Sequence, residues 1–90
     1  MCELNKEKEN VMKLKVKLVT VNDAVLFVAK CNEYMEDIDY FYNRYIIDGK
    51  SLMGILGIGL NNECVVEIHT DDEECIRRFR EDMALWIMEE

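Results

Sequence analysis

The sequence predicts an α/β fold, an α+β two-layer sandwich with helices on one face of a small sheet. Three observations predict it. Met12, Leu14, Val16 and Leu18 alternate with Lys13, Lys15 and Lys17, the period of a strand with one buried and one wet face. Ala24, Val25, Phe27, Val28, Cys31 and Tyr34 recur at helical spacing and make one apolar face. A chain of 90 residues has room for one core and two layers, burying roughly 60–65% of the surface its unfolded form exposes.

The elements follow in order. Residues 1–11 are charged and without period, and are expected to be a flexible N-terminal extension to a domain spanning 12–90. The strand of residues 12–19 comes next; its lysines discourage edge-to-edge pairing if it lies at a sheet edge. A helix over residues 22–34 follows, with Thr20, Asn22 and Asp23 all suited to its N-cap or first turn. Residues 37–48 read as a hairpin: Ile38, Tyr40 and Tyr42 alternate with Asp37, Asp39 and Phe41, and Asn43-Arg44 forms the turn before Tyr45–Ile47. Ser51 suits the N-cap of a short helix ending near Leu56, stopped by Gly57 and Gly59. Asn61 and Asn62 make a turn, and the apolar, β-branched run Cys64–His69 is a strand. The final segment from Thr70 is expected to be one helix, with a Thr70–Glu73 capping box, acids in its first turn, and Cys75 or Ile76, Phe79, Met83, and Trp86 or Ile87 buried. The order is β-α-β-β-α-β-α.

Composition excludes several functions. The net charge of −8 opposes nucleic-acid binding. No apolar run approaches the ~20 residues that span a bilayer, so no membrane association is expected. Residues 1–10 lack the secretory pattern, which makes the cytoplasm the expected location. The cysteines, Cys2, Cys31, Cys64 and Cys75, form no C-x-x-C pair, and Cys31, Cys64 and Cys75 sit in apolar patterns that suit small core residues.

The segment "DGKSLMGILGIGL" holds all four glycines and a Gly49-Lys50-Ser51 triplet. A phosphate-binding loop needs an earlier glycine where this chain has Arg44, and a dinucleotide fingerprint from Gly57 needs glycine at Asn62. Both patterns fail, and a capped short helix with a glycine stop accounts for the segment. His69 is the single histidine. With no ligand-spaced cysteines or acids in sequence, no metal and no cofactor are expected, and turn hydrogen bonding accounts for the ring. Asp71–Glu74 lacks the spacing of a calcium loop. Tyr40, Phe41, Tyr42 and Tyr45 are expected to pack on the sheet. Leu52, Met53, Ile55, Leu56 and Ile58 are too many for one face of a short helix, so some are exposed, with Met53 and Leu56 foremost.

The stretch from Lys50 to Gly54, with the apolar residues, glycine, turn and "CVVEI" strand after it, resembles the region around the regulatory serine of HPr, the histidine-containing phosphocarrier of the bacterial sugar phosphotransferase system. "AVLFVAKCNEY" is similar to that family's first helix and "YFYNRY" to its strand-turn segment; the likeness runs from about Lys13 onward. The resemblance implies an HPr-like four-stranded, mainly antiparallel sheet with three helices on one face. It also implies a site. In the family, a histidine in an H-A-R-P context just before the first helix takes phosphate from Enzyme I and passes it to sugar-specific proteins, held by helix N–H groups and an arginine. Here Thr20 stands at the histidine position, Asn22 at the arginine and Asp23 at the proline. A hydroxyl without a base is a weak nucleophile. Asp23 reads as an N-terminal helix charge, with mimicry of a phosphorylated carrier as the alternative. Ser51 matches the serine that HPr kinase/phosphorylase modifies in Gram-positive members.

The expected function is therefore a non-enzymatic regulatory or adaptor protein that binds protein partners (Enzyme I, HPr kinase/phosphorylase or a transcriptional regulator) through Ser51, Leu52, Met53 and Leu56. The alternative is a phosphotransferase-system component phosphorylated on Ser51 or an unrecognised acceptor.

Overall fold

The computed structural model describes residues 11–88. The expected extension of residues 1–11 lies outside this range except for Val11, as do Cys2 and the side chain of Met12. The elements are β1 (Val11–Leu18), α1 (Val21–Cys31), β2 (Ile38–Tyr42), β3 (Tyr45–Asp48), α2 (Leu52–Ile58), β4 (Asn62–His69) and α3 (Glu73–Asp82). The four strands form one antiparallel sheet in the order β1-β4-β2-β3, with the three helices as its second layer. Among the described residues, no helix is long and apolar enough to cross a membrane.

The strand alternation sets the two faces. Leu14, Val16 and Leu18 of β1, Ile38 and Tyr40 of β2, and Cys64, Val66 and Ile68 of β4 are buried beneath the helices. Ala24, Phe27 and Cys31 of α1, Ile55 of α2, and Cys75 and Phe79 of α3 close the core from above. Phe27 is central: its ring meets Tyr40 and Trp86 edge-on, with centroids at 5.6 and 5.7 Å. The opposite sheet face carries Lys13 and Lys15, both exposed, and the register sets Glu67 beside both Lys13 and Asp39. Val25, expected in the buried face of α1, is 42% exposed, because the helix lies on a stripe narrower than its apolar pattern. Tyr45, expected to pack, is 62% exposed at the start of the edge strand β3.

The turns have local causes. Asn43 adopts φ 56°, the left-handed conformation that asparagine tolerates, and turns the hairpin without glycine. Gly49 is required by close approach: a Cβ there would lie 2.8 Å from Ile38 Cγ2, while Gly49 N–H donates to the Ile38 carbonyl. α2 runs through Gly57 to Ile58, two residues beyond the expected end; Gly59, at φ 107°, stops it.

The last segment departs most from expectation. Asp72, not Thr70, caps α3, accepting from Glu74 N–H at 3.0 Å. Thr70 Oγ1 instead accepts from Asp72 N–H. The helix ends at Asp82, and the chain turns back along the free side of β1. Lys17 N–H donates to the Trp86 carbonyl at 3.0 Å, Met88 N–H donates to the Lys15 carbonyl at 2.9 Å, and Ile87 bridges Val16. Met83 and Trp86 are buried as the helical reading expected, but from a turn that follows α3. A helix continued past Asp82 would leave this edge of β1 without those backbone partners.

Candidate functional site

Two helix entrances carry the residues singled out in the sequence. The first is the start of α1. Thr20 is its N-cap, with extended backbone, and its Oγ1 accepts from Asp23 N–H at 3.0 Å. The Asp23 carboxylate reaches back and accepts from Thr20 N–H and Val19 N–H, both at 3.1 Å. This reciprocal capping box consumes donors that would otherwise face outward. The backbone N–H groups of Thr20 and Val19 hold the Asp23 carboxyl below the usual carboxylate range. Asn22 is exposed.

The charge of Asp23 therefore favours the fold above the unfolded carboxyl value of about 4. That contribution is lost as pH falls through the depressed folded value. Acid titration of Tm should show the wild type above Asp23→Asn at neutral pH and the two curves converging at low pH. Parallel curves would refute the cap.

The second entrance is α2. Ser51 is its N-cap, with Oγ accepting from Gly54 N–H at 3.1 Å. The preceding lysine is engaged in the fold: Lys50 Nζ donates to the Tyr34 carbonyl at 2.6 Å and its N–H to Asp48 Oδ1 at 2.9 Å. The Gly-Lys-Ser triplet thus closes a turn. Behind it Ile55 is buried, Leu52 is half-buried, and Met53 and Leu56 project with 84% and 38% exposure. A pocket beside this helix, lined by Tyr42, Tyr45, Ile47, Gly54, Gly57 and Ile58, extends the apolar surface onto β3. No local pattern signals this extension, because it depends on the β3–α2 contact.

The two entrances are not brought together. Asn32, the C-cap of α1, donates from Nδ2 to the Lys50 carbonyl at 3.2 Å, so Ser51 sits beside the far end of α1 from Thr20. At about 1.5 Å per residue, α1 separates them by roughly 16 Å.

Other candidate groups are accounted for. His69 does not bond in a turn: its Nε2 lies 2.8 Å from Asp39 Oδ2 across the sheet. Cys31, Cys64 and Cys75 are free and buried. Burial pushes the Cys31 thiol up to about 12 and raises Cys64 and Cys75 as well, so all three remain protonated at neutral pH.

Comparison with known proteins agrees with this architecture. Residues 9–81 match the family described as PTS HPr component phosphorylation site. Among solved structures, HPr-C-His from Thermoanaerobacter tengcongensis is similar, with TM-score 0.61 and 24% identity over 82% of this chain and 90% of that one. The phosphocarrier protein HPr from Bacillus anthracis str. Ames is similar with TM-score 0.62 and 20% identity, over 81% of this chain and 96% of that one. No curated protein matches the sequence. The two structural likenesses carry the fold, and the match over residues 9–81 carries the family: the chain belongs to the PTS-HPr family.

Proposed function

We propose that this HPr-family protein is a regulatory or adaptor member, not a histidine phosphocarrier, and that it engages protein partners through the Ser51–Leu56 surface in the cytoplasm. The observation that carries the proposal is the capping box at α1. The position that resembles the phosphocarrier histidine holds Thr20, and the Asp23 carboxylate occupies backbone donors at this helix entrance. An incoming phosphoryl group meets the negative charge of Asp23 at this entrance, and the Thr20 hydroxyl is engaged in the capping box. Met53 and Leu56, exposed beside Ser51, supply the apolar contact that a protein partner would cover.

Incubation with Enzyme I and phosphoenolpyruvate, read by intact mass, should leave the protein unmodified. Incubation with HPr kinase/phosphorylase and ATP should add one phosphate, lost in Ser51→Ala. Transfer from Enzyme I would overturn the reading and favour a working phosphotransferase component with an unrecognised acceptor.

A further inference from the structure

The sheet face away from the helices holds a cluster that neither helix entrance uses. The β4–β2 register sets Asp39 directly opposite Glu67, and the strand period sets His69 on the same face as Glu67. One ligand atom from each of Asp39, Glu67 and His69 lies within 4.8 Å of the others. Asp48 is the next residue in the row beyond Asp39, and Asp37, Asp39, Asp48 and His69 line an open pocket of about 570 Å³.

Glu67 sets this cluster apart from an ordinary acidic patch. It is the one buried charged side chain among the described residues, at 8% exposure. Among those residues its carboxylate has no hydrogen-bond or ion-pair partner, and Lys13, opposite it on β1, makes no ion pair with it. A buried carboxylate without a partner is costly, and buried charges are ordinarily paired or bound to metal. Asp39 adds a second carboxylate, and His69 adds an imidazole nitrogen.

We propose that Asp39, Glu67 and His69 form a binding site for a divalent first-row transition cation. One imidazole nitrogen and two carboxylate oxygens make a borderline donor set suited to zinc, cobalt or manganese, with water completing the shell. Metal–ligand bonds of about 2.0–2.2 Å require neighbouring donors roughly 3.3 Å apart. The half-exposed side chains of His69 and Asp39 close that gap by rotation, while Glu67 is fixed by burial. The 2.8 Å contact between His69 Nε2 and Asp39 Oδ2 is exchanged for bonds to the cation.

The test is titration of the metal-stripped full chain with cobalt(II) chloride, followed by absorption, and with zinc chloride, followed by calorimetry. One equivalent should bind, giving cobalt d–d bands without a thiolate charge-transfer band, which separates this site from the cysteines. Glu67→Gln and His69→Ala should each weaken binding by about 10–100-fold or more. Glu74→Gln, on the exposed start of α3, should leave it unchanged. Metal should also raise the Tm of the wild type and not that of Glu67→Gln. If His69→Ala fails to fold, Glu67→Gln decides alone, because it keeps the side-chain shape and removes only an unpaired buried charge. No saturable binding, a thiolate band, or undiminished affinity in Glu67→Gln would overturn the proposal.

Discussion

Phe27→Ala should lower the unfolding free energy by about 3–5 kcal/mol. Phe27 is fully buried and touches aromatic rings from two other parts of the chain, Tyr40 on β2 and Trp86 after α3. Removing the ring loses its transfer free energy and leaves a cavity beside Tyr40, held in the β2 ladders, and Trp86, held by its carbonyl's bond from Lys17 N–H, which limits collapse. A domain of 90 residues has a total of about 5–13 kcal/mol at 0.05–0.15 kcal/mol per residue. The substitution therefore consumes a large share of it. Urea and thermal unfolding would measure the loss, at about 4–8 °C of Tm per kcal/mol. A loss under about 1 kcal/mol, the scale of a surface change, would mean that the helix layer does not pack as described.

Trp86→Ala should cost a similar amount, about 3–5 kcal/mol. This expectation separates the observed C-terminal segment from a frayed end, where the same change would cost almost nothing. Trp86 is 6% exposed, packs against Phe27, and its carbonyl accepts from Lys17 N–H. Because the two rings touch, the double variant should cost less than the sum of the single ones by about 0.5–1.5 kcal/mol. Strict additivity in that cycle would separate the rings, and with them the return of the chain to β1.

Much of the fold was legible because burial leaves a local period. Leu14, Val16 and Leu18 mark β1, and Ala24, Phe27 and Cys31 mark α1, whatever the rest of the chain does. The Thr20 cap was legible as one of several candidates; the choice needed the carboxylate of Asp23 to turn back on two N–H groups. The end of α3 was not legible. Met83 and Trp86 satisfy a helical stripe, yet a turn buries both and leaves the backbone free to bond β1. The exposed position of Met53 could be read from the excess of apolar residues in a short helix. The grouping of Asp39 with His69 and Glu67 could not, because it arises from strand register between segments nearly thirty residues apart, and only the Glu67-x-His69 half lies in one strand.

The place of β4 has a consequence for how the chain is made. β4 is the last of the four strands in sequence, yet it lies between β1 and β2 and pairs with both. During synthesis, the β2–β3 hairpin is the one strand pairing available from neighbouring segments; β1 must wait for a partner that begins at Asn62. Until β4 leaves the ribosome, α1 has no completed sheet to cover, and its apolar face is open to solvent and to chaperones. Sheet assembly is then a late, long-range event that joins both halves at once, so a chain stalled before β4 is an unpaired first strand, a hairpin and two helices without a completed sheet to pack on.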